Sequence, residues 1–399
     1  MALKELFTDI ADAIREKSGT TDKIVASDFP SKIAEITTEG GLDTSDATAT
    51  AGDILKDKTA YVNGEKVIGE LEMSGGDEYN VISDTVLIPG ATKTGAYYSN
   101  IAQCIKELSG DFTISGTSAE RMFYDCIKLE KVPTIDTSKV TTMNSMFYNC
   151  TALQTVSLLN TSNVTNMGSM FYKCTNLQTV PLFDTNKVTI MGSMFYGCNN
   201  LQTVPLFDTS SLTSMSQMFY NCISLQTVPL FDTSKVTTMN YMFYRCTSLQ
   251  TVPLFDTSKL ATFSYTFYNC TKLTTVPLFN LSAVTEFANT FEGCTNLTTI
   301  PQFDTSSATF MNSMFKDCTN IKECPQLNTS KVTSMAHMFN GCRQLEYVPV
   351  LDTSSLVSSS NSSIFTNCTN LTDESLNNIM QMCINATKIT SSKTLNYIG

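Results

Sequence analysis

At 399 residues the chain is long enough for two or three ordinary domains, and 42% apolar residues supply ample material for a folded core. A formal charge of -11 repels phosphate backbones and anionic membrane surfaces, which argues against nucleic-acid and lipid-headgroup partners. The start, Met1 to Phe7, runs into Thr8 and Asp9 instead of an apolar core with a cleavage site; no stretch approaches the roughly 18 apolar residues of a membrane span, and no lipid-attachment motif stands near the start. The expectation is a soluble chain without a signal peptide or membrane insertion.

Residues 1-40 read as a helical module: Leu3, Leu6, Phe7, Ile10, Ala13 and Ile14 recur at helical spacing, and Ser27-Asp28-Phe29-Pro30 opens a second short helix after Gly19. Residues 41-74 begin as a polar linker and continue as Thr59 to Ile68, where Asn63-Gly64 predicts the turn of a β-hairpin. Units this small bury little surface alone and need another subunit or a larger assembly, which predicts a homo-oligomer. Gly75-Gly76 marks a hinge, and residues 75-121 supply that hinge and an amino-terminal cap.

From 122 to 371 (122-371) the chain repeats every 24 residues, in eleven copies marked by Phe123, Phe147, Phe171, Phe195, Phe219, Phe243, Phe267, Phe291, Phe315, Phe339 and Phe365. A fixed period in the twenties is the mark of a solenoid, whose coils bury their apolar faces by stacking. Leu153 to Leu158 and its equivalents fit the L-x-x-L-x-L spacing of a short leucine-rich-repeat strand, predicting one parallel sheet. Val140, Met143, Met146 and Phe147 stand at i, i+3, i+6 and i+7, predicting a helical or 3₁₀ turn opposite it. The expected fold class is an α/β repeat solenoid of leucine-rich-repeat kind. Pro181, Pro205, Pro229 and Pro253 cannot donate to a ladder, so each strand is limited to three or four residues; whether Phe183, Phe207, Phe231 and Phe255 then face inward stays open.

Ten of the fourteen cysteines, Cys126 to Cys342, fall on the same step of 24. Side chains so repeated point the same way about 4.8 Å apart, unlike the facing pair a disulfide needs. They read as a buried ladder of free thiols made in a reducing compartment. Asp136, Asp184, Asp208, Asp232 and Asp256 precede the turn as caps; Asn replaces them at Asn160, Asn280 and Asn328, which favours a hydrogen-bonding role over a metal site. Two copies exchange the usual Met pair for Phe263 with Thr266 and Phe287 with Thr290, a volume-conserving swap that places both positions in the core.

A tyrosine follows the recurring Phe at Tyr124, Tyr148, Tyr172, Tyr196, Tyr220, Tyr244 and Tyr268, then becomes Glu292, Lys316, Asn340 and Thr366. Such replacements require solvent access. Two readings stay open: an exposed aromatic stripe that binds a sugar or protein partner, or rings that merely cover each other's coils. Gln154, Gln178, Gln202, Gln226 and Gln250 form a second repeated column. Residues 372-399, with Leu376, Ile379, Met380, Cys383 and Ile384 at helical spacing, form a carboxy-terminal cap after a serine-rich irregularity at 358 to 363.

The Met-Phe-x-x-Cys-x-x-Leu and Asp-Thr-Ser-Lys-Val-Thr motifs resemble BspA-like leucine-rich repeats of bacterial, mycoplasmal and protist surface proteins. Leu6-Phe7-Thr8-Asp9-Ile10-Ala11-Asp12-Ala13-Ile14-Arg15-Glu16-Lys17 and Asp28-Phe29-Pro30, with Asp46 to Leu55 and Thr59 to Gly64, resemble modules of tail or fibre proteins of phages infecting Gram-positive bacteria. The combination implies a virion protein made in the host cytoplasm. Its amino-terminal modules would attach to other virion proteins, a trimer would follow from the likeness to fibres, and the solenoid would meet a host cell-surface glycan or protein. A virion spacer or decoration protein and a BspA-like bacterial adhesin are the alternatives. Catalysis is not expected: the single histidine, His337, sits in a repeat column, and the chain carries no phosphate-binding loop, metal-ligand spacing or cofactor motif. Cys104, Cys324 and Cys383 read as core.

Overall fold

In the computed structural model the structure describes residues 114, 116–132, 134–357 and 363–389, together with the backbone of 59–62, 65–68 and 112–113. The expected helices of 1-40, the hinge at Gly75-Gly76, Cys104 and most of the serine-rich stretch lie outside the described residues. β1 (Thr59–Val62) and β2 (Glu65–Ile68) pair antiparallel, with Thr59 opposite Ile68 and Val62 opposite Glu65. That register leaves two residues, Asn63 and Gly64, to join them.

The repeats stack as a solenoid, each coil bonded to its neighbours. β3 (Phe112–Thr113) pairs parallel with β4 (Ile135–Asp136) at the amino-terminal end. Beyond that pair the coils meet through a column of single parallel bridges. It runs Ser118, Thr142, Asn166 and Ile190, then from Ser214 through Thr238, Thr262, Glu286 and Phe310 to Ser334.

The coil from Asp232 to Phe255 shows the local logic. The Asp232 carboxylate accepts the N–H of Ser234 at 3.0 Å, and the buried Thr233 hydroxyl donates to the Asp256 carbonyl of the next coil at 2.8 Å. The aspartates, and asparagines such as Asn160 in their place, thus accept a backbone N–H two residues on, the hydrogen-bonding role expected of them; what they open is a turn and not a helix, which corrects the rest of the expectation. A run of tight turns follows. Met242, Tyr244 and Cys246 each donate to the carbonyl three residues back, at 3.0, 3.2 and 3.0 Å. The N–H groups of Tyr241, Phe243 and Arg245 reach forward to Ser264, Thr266 and Tyr268 at 3.2, 2.9 and 2.6 Å. From Tyr241 to Cys246 every backbone donor has a partner, alternately in the next coil and within its own.

These turns replace the helical or 3₁₀ segment expected from the spacing of Val140, Met143, Met146 and Phe147. Tyr241 and Arg245 have φ of 60° and 58°, and the equivalent positions of the other coils are left-handed too. A left-handed third residue marks a type II turn, and two of them per coil exclude a continuing helix. The residues facing inward are those expected, but turns put them there.

The expected parallel sheet is also corrected. Residues 249 to 254 form no strand: one backbone bond joins this segment to the one before, from the Gln250 N–H to the Gln226 carbonyl at 3.2 Å. Pro253 has no N–H with which to continue a ladder. Instead the Phe255 N–H returns to the Pro253 carbonyl at 3.0 Å, a γ-turn with Leu254 at its apex. The turn settles the open question: Phe183, Phe207, Phe231 and Phe255 are buried, while the leucine before each points out. In the same way Leu158 is exposed and Leu159 is the core residue, so the strand pattern placed its third leucine on the wrong side.

Inside, like side chains stack in columns. Phe147 and Phe171 lie 5.4 Å apart with parallel rings, and the column continues to Phe365. The ten laddered cysteines are buried and free, and Cys368 extends the ladder beyond the stretched interval. From Cys150 onward the thiols donate to a phenylalanine carbonyl of the preceding coil, as Cys246 does to Phe219 at 3.0 Å. Phe263, Thr266, Phe287 and Thr290 are all buried, as the paired exchange requires. Thr266 donates to both the Met239 and Phe263 carbonyls, at 3.2 and 2.8 Å. Cys324 is buried and Cys383 half-buried.

α1 (Asp373–Asn385) covers the last coil, with Thr372 as its N-cap. Ser375, Ile379 and Met382 are its buried residues. The Ser375 hydroxyl donates to the Glu346 carbonyl at 2.8 Å and accepts the Val348 N–H at 3.0 Å, and Asn378 donates to the Val348 carbonyl at 3.0 Å. These bonds do what a further coil would have done. Met380 and Ile384, expected on the covering face, are exposed instead.

Candidate interaction surface

The seven tyrosines Tyr124, Tyr148, Tyr172, Tyr196, Tyr220, Tyr244 and Tyr268 form one unbroken stack. Successive ring centroids are 4.5, 4.4, 4.3, 4.2, 4.4 and 4.5 Å apart, with interplanar angles of 12° or less. The run of tight turns fixes this overlap, since it recurs once per coil. All seven residues are half-buried, because each ring covers its neighbours' faces. Ring edges and hydroxyls are left to face a partner. Burial, with neighbouring phenols adding to it, pushes the Tyr148 and Tyr244 hydroxyls up to about 12, so they stay protonated and can donate. Arg121 and Lys173 lie over the rings of Tyr124 and Tyr172, at 5.4 and 5.7 Å from their centroids.

Two further tyrosines widen the stack at its far end. Tyr241 and Tyr265 stack on each other at 4.7 Å and lean against Tyr244 and Tyr268, each at 5.9 Å. Both occupy left-handed positions, with φ of 60° and 58°, where other coils mostly carry Ser. Beyond Tyr268 the column becomes an ion pair: Lys316 lies 2.8 Å from Glu292, and that hydrogen bond raises the lysine pKa. His337 is half-buried, its Nδ1 3.4 Å from the Asn340 amide.

The segment from 249 to 254 and its equivalents offer three more exposed columns. Gln154, Gln178, Gln202, Gln226 and Gln250 form one, and Thr155, Thr179, Thr203, Thr227 and Thr251 the next. The third is leucine: Leu158, Leu182, Leu206, Leu230, Leu254 and Leu278 are each 58–67% exposed. Sequence reasoning missed this column by assigning it to the core. Its signal was present in Gln302 and Gln326, which stand where leucine stood and require solvent access. The tyrosine and leucine columns end at the same coil. Asp208, Asp232 and Asp256 line the segment's far edge. The hydroxyl and N–H of Ser210 hold Asp208 below the usual carboxylate range, as those of Ser258 hold Asp256; for Asp232 the Ser234 N–H leads. No group of three His, Cys, Asp or Glu side chains is placed to hold a metal ion among the described residues.

The solenoid is similar to a leucine rich cell surface protein from Faecalibacterium prausnitzii A2-165, at 21% identity over 67% of this chain and 93% of that one, with a TM-score of 0.35. It is likewise similar to a leucine-rich repeat protein from Bacteroides ovatus (19% identity, 68% and 84% of the two chains, TM-score 0.36) and to one from Eubacterium ventriosum (17%, 65% and 91%, 0.34). No curated protein matches the chain. Residues 117–226, 198–296 and 274–379 each match one family of repeats, and the chain belongs to that family, described as Mycoplasma protein of unknown function, DUF285.

Proposed function

We propose that this chain is a non-enzymatic virion protein, of a phage tail or fibre, that displays its solenoid for recognition of a host cell-surface glycan or protein. The observation that carries the recognition role is the row of seven phenols, one per coil, with rings 4.2–4.5 Å apart. A row of one chemistry about 26 Å long, taken over six inter-coil steps, suits a partner that itself repeats, such as a wall polysaccharide. Because the ring faces are taken up by one another, the contact is made by hydroxyls and ring edges through hydrogen bonds, each weak and together giving avidity. The virion location and attachment through the amino-terminal modules rest on the motifs in residues 6–64. The closed stack favours a second reading, a stiff spacer; a BspA-like adhesin on a bacterial surface would use the same face.

The test removes the hydroxyls and keeps the stack. Tyr172, Tyr196 and Tyr220 are replaced together by Phe, thermal melting checks the fold, and binding to host cells and purified wall glycans is measured. A loss of about tenfold or more, the scale of a few lost hydrogen bonds, supports the reading. Unchanged binding moves the contact surface elsewhere, and a wild-type protein that binds no host surface favours the spacer.

A further inference from the structure

Charge is sorted along this chain. Residues 1–111 hold 20 acidic and 10 basic side chains, so they carry -10 of the formal -11, and the rest of the chain is nearly neutral. Within that rest, the turn segments that bear Tyr148 to Tyr268, residues 140–152, 164–176, 188–200, 212–224, 236–248 and 260–272, contain Lys173, Arg245 and Lys272 and no carboxylate. Acids bound this zone at both ends. The coil before it has Glu120 and Asp125 beside Arg121 and Lys128, and the coil after it gains Glu286 and Glu292 as the tyrosine is lost. We infer that the tyrosine face binds an anionic glycopolymer, whose repeating units carry phosphate or carboxylate, with Lys173, Arg245 and Lys272 as the charge contacts and the phenols as hydrogen-bond donors. The inference rests on the recognition role proposed above and names the class of its partner.

The three cations are exposed, and none of them is in an ion pair among the described residues. Lys173 and Arg245 directly follow Tyr172 and Tyr244, three ring-to-ring steps of 4.3, 4.2 and 4.4 Å apart along the stack. Other lysines are spent differently: Lys139, Lys235 and Lys259 stand three residues after Asp136, Asp232 and Asp256 and help to keep those carboxylates ionised. That aspartate row precedes the tyrosines by twelve residues, half of a 24-residue coil. Exposed charges more than about 8 Å away are largely screened at physiological salt, so the local sign decides what the tyrosine face attracts.

The backbone supplies an independent observation. Lys173 and Arg245 are left-handed, with φ of 57° and 58°, at a position where Asn149, Asn221, Asn269 and Gly197 fit with less strain. Two long cations are thus held where the fold gains nothing from them, and strain of this kind collects at functional sites. A nucleic acid fits the same charges less well. Single strands are held by bases laid on open aromatic faces, and here the tyrosine faces cover one another. Hydroxyls and cations ask only for acceptor oxygens, which a phosphate- or uronate-bearing glycan repeats along its length.

The experiment compares the full wild-type chain with a triple variant, Lys173→Asn, Arg245→Asn and Lys272→Asn; the same columns carry Asn149 and Asn221, and Asn176 and Asn200. Calorimetric titration uses poly(glycerol phosphate), polygalacturonate, neutral dextran and single-stranded DNA. The wild type is expected to bind one or both anionic glycans and not dextran, more weakly as salt is raised. The variant is expected to lose about tenfold or more in affinity while its urea midpoint is unchanged or higher, since Asn suits the left-handed position. The glycan preferred tells phosphate from carboxylate. Unchanged affinity in the variant, dextran bound as tightly as the anionic glycans, neither anionic glycan bound, or DNA bound more tightly than either would each overturn the inference. Host-cell binding separates this failure from that of the recognition role. If binding falls when Tyr172, Tyr196 and Tyr220 become Phe but not in the Asn variant, the phenol row stands and the anionic partner is overturned; a wild type that binds no host surface removes both.

Discussion

The thiol of Cys246 donates its proton to the Phe219 carbonyl, 3.0 Å away in the coil before, and packs its apolar bulk into the core. Burial raises the pKa of this thiol and of Cys150, Cys198, Cys222, Cys270, Cys318 and Cys342, and pushes Cys294 and Cys368 up to about 12. In the unfolded chain such groups ionise near pH ~8.5. A group whose folded pKa is raised contributes fully below its unfolded value and loses that contribution as pH rises toward the folded one. The stability of the solenoid is therefore expected to be flat up to about pH 8.5 and to fall steeply above it, by about 1.4 kcal/mol per thiol per pH unit. Thermal melts from neutral to strongly alkaline pH check this, and an unchanging Tm would contradict it. Buried threonines allow a sharper comparison within one column. The Thr233 hydroxyl is bonded to the Asp256 carbonyl, whereas the buried Thr161 hydroxyl has no partner among the described residues. Thr233→Val should cost about 1 kcal/mol, and Thr161→Val should be neutral or stabilising; urea titration of the two variants decides.

At the scale of the coil, the type II turns are the controlling device. Position 245 and its equivalents hold left-handed residues: Asn149, Asn221, Asn269, Gly197, Gly293 and Gly341 suit that conformation, while Lys173 and Arg245 do not. Arg245→Gly should stabilise by about 0.5–1 kcal/mol, read from the urea midpoint. The same column shows why the local structure was only partly legible. Which residues face inward could be read from the period of Phe123 to Phe365 and from the Met-to-Phe exchanges, because burial follows the repeat. The conformation that turns them inward could not, since apolar residues three apart suit a helix and a run of tight turns alike. The Asn and Gly column separates the two. The strand pattern failed for a related reason: Leu158 and Leu159 are equally apolar, and backbone geometry decides which is buried. The tyrosine column was legible as a surface feature, but its face-to-face closure depends on ring orientation, which composition does not carry.

At the scale of the whole molecule, each coil touches only its neighbours, so stability is a sum of repeated interfaces closed by α1. Removing one whole coil, residues 208–231, joins Phe207 to Asp232 as Phe231 is joined to it now, and every column closes again in register. The shortened protein should fold with nearly the same Tm, which circular dichroism and melting check. The tyrosine stack has an optical consequence. The chain contains no tryptophan, so its near-ultraviolet emission belongs chiefly to tyrosine, and seven of the fifteen tyrosines stand in one column. Rings held parallel at 4.2–4.5 Å share their excited states instead of keeping them apart. Excitation is therefore expected to pass between neighbouring rings, so that a quencher docked on one coil dims more than the ring it touches; titrating the emission with a coil-specific quencher checks this. The intrinsic emission is then expected to report contact along the coils of Tyr124 to Tyr268 without a label.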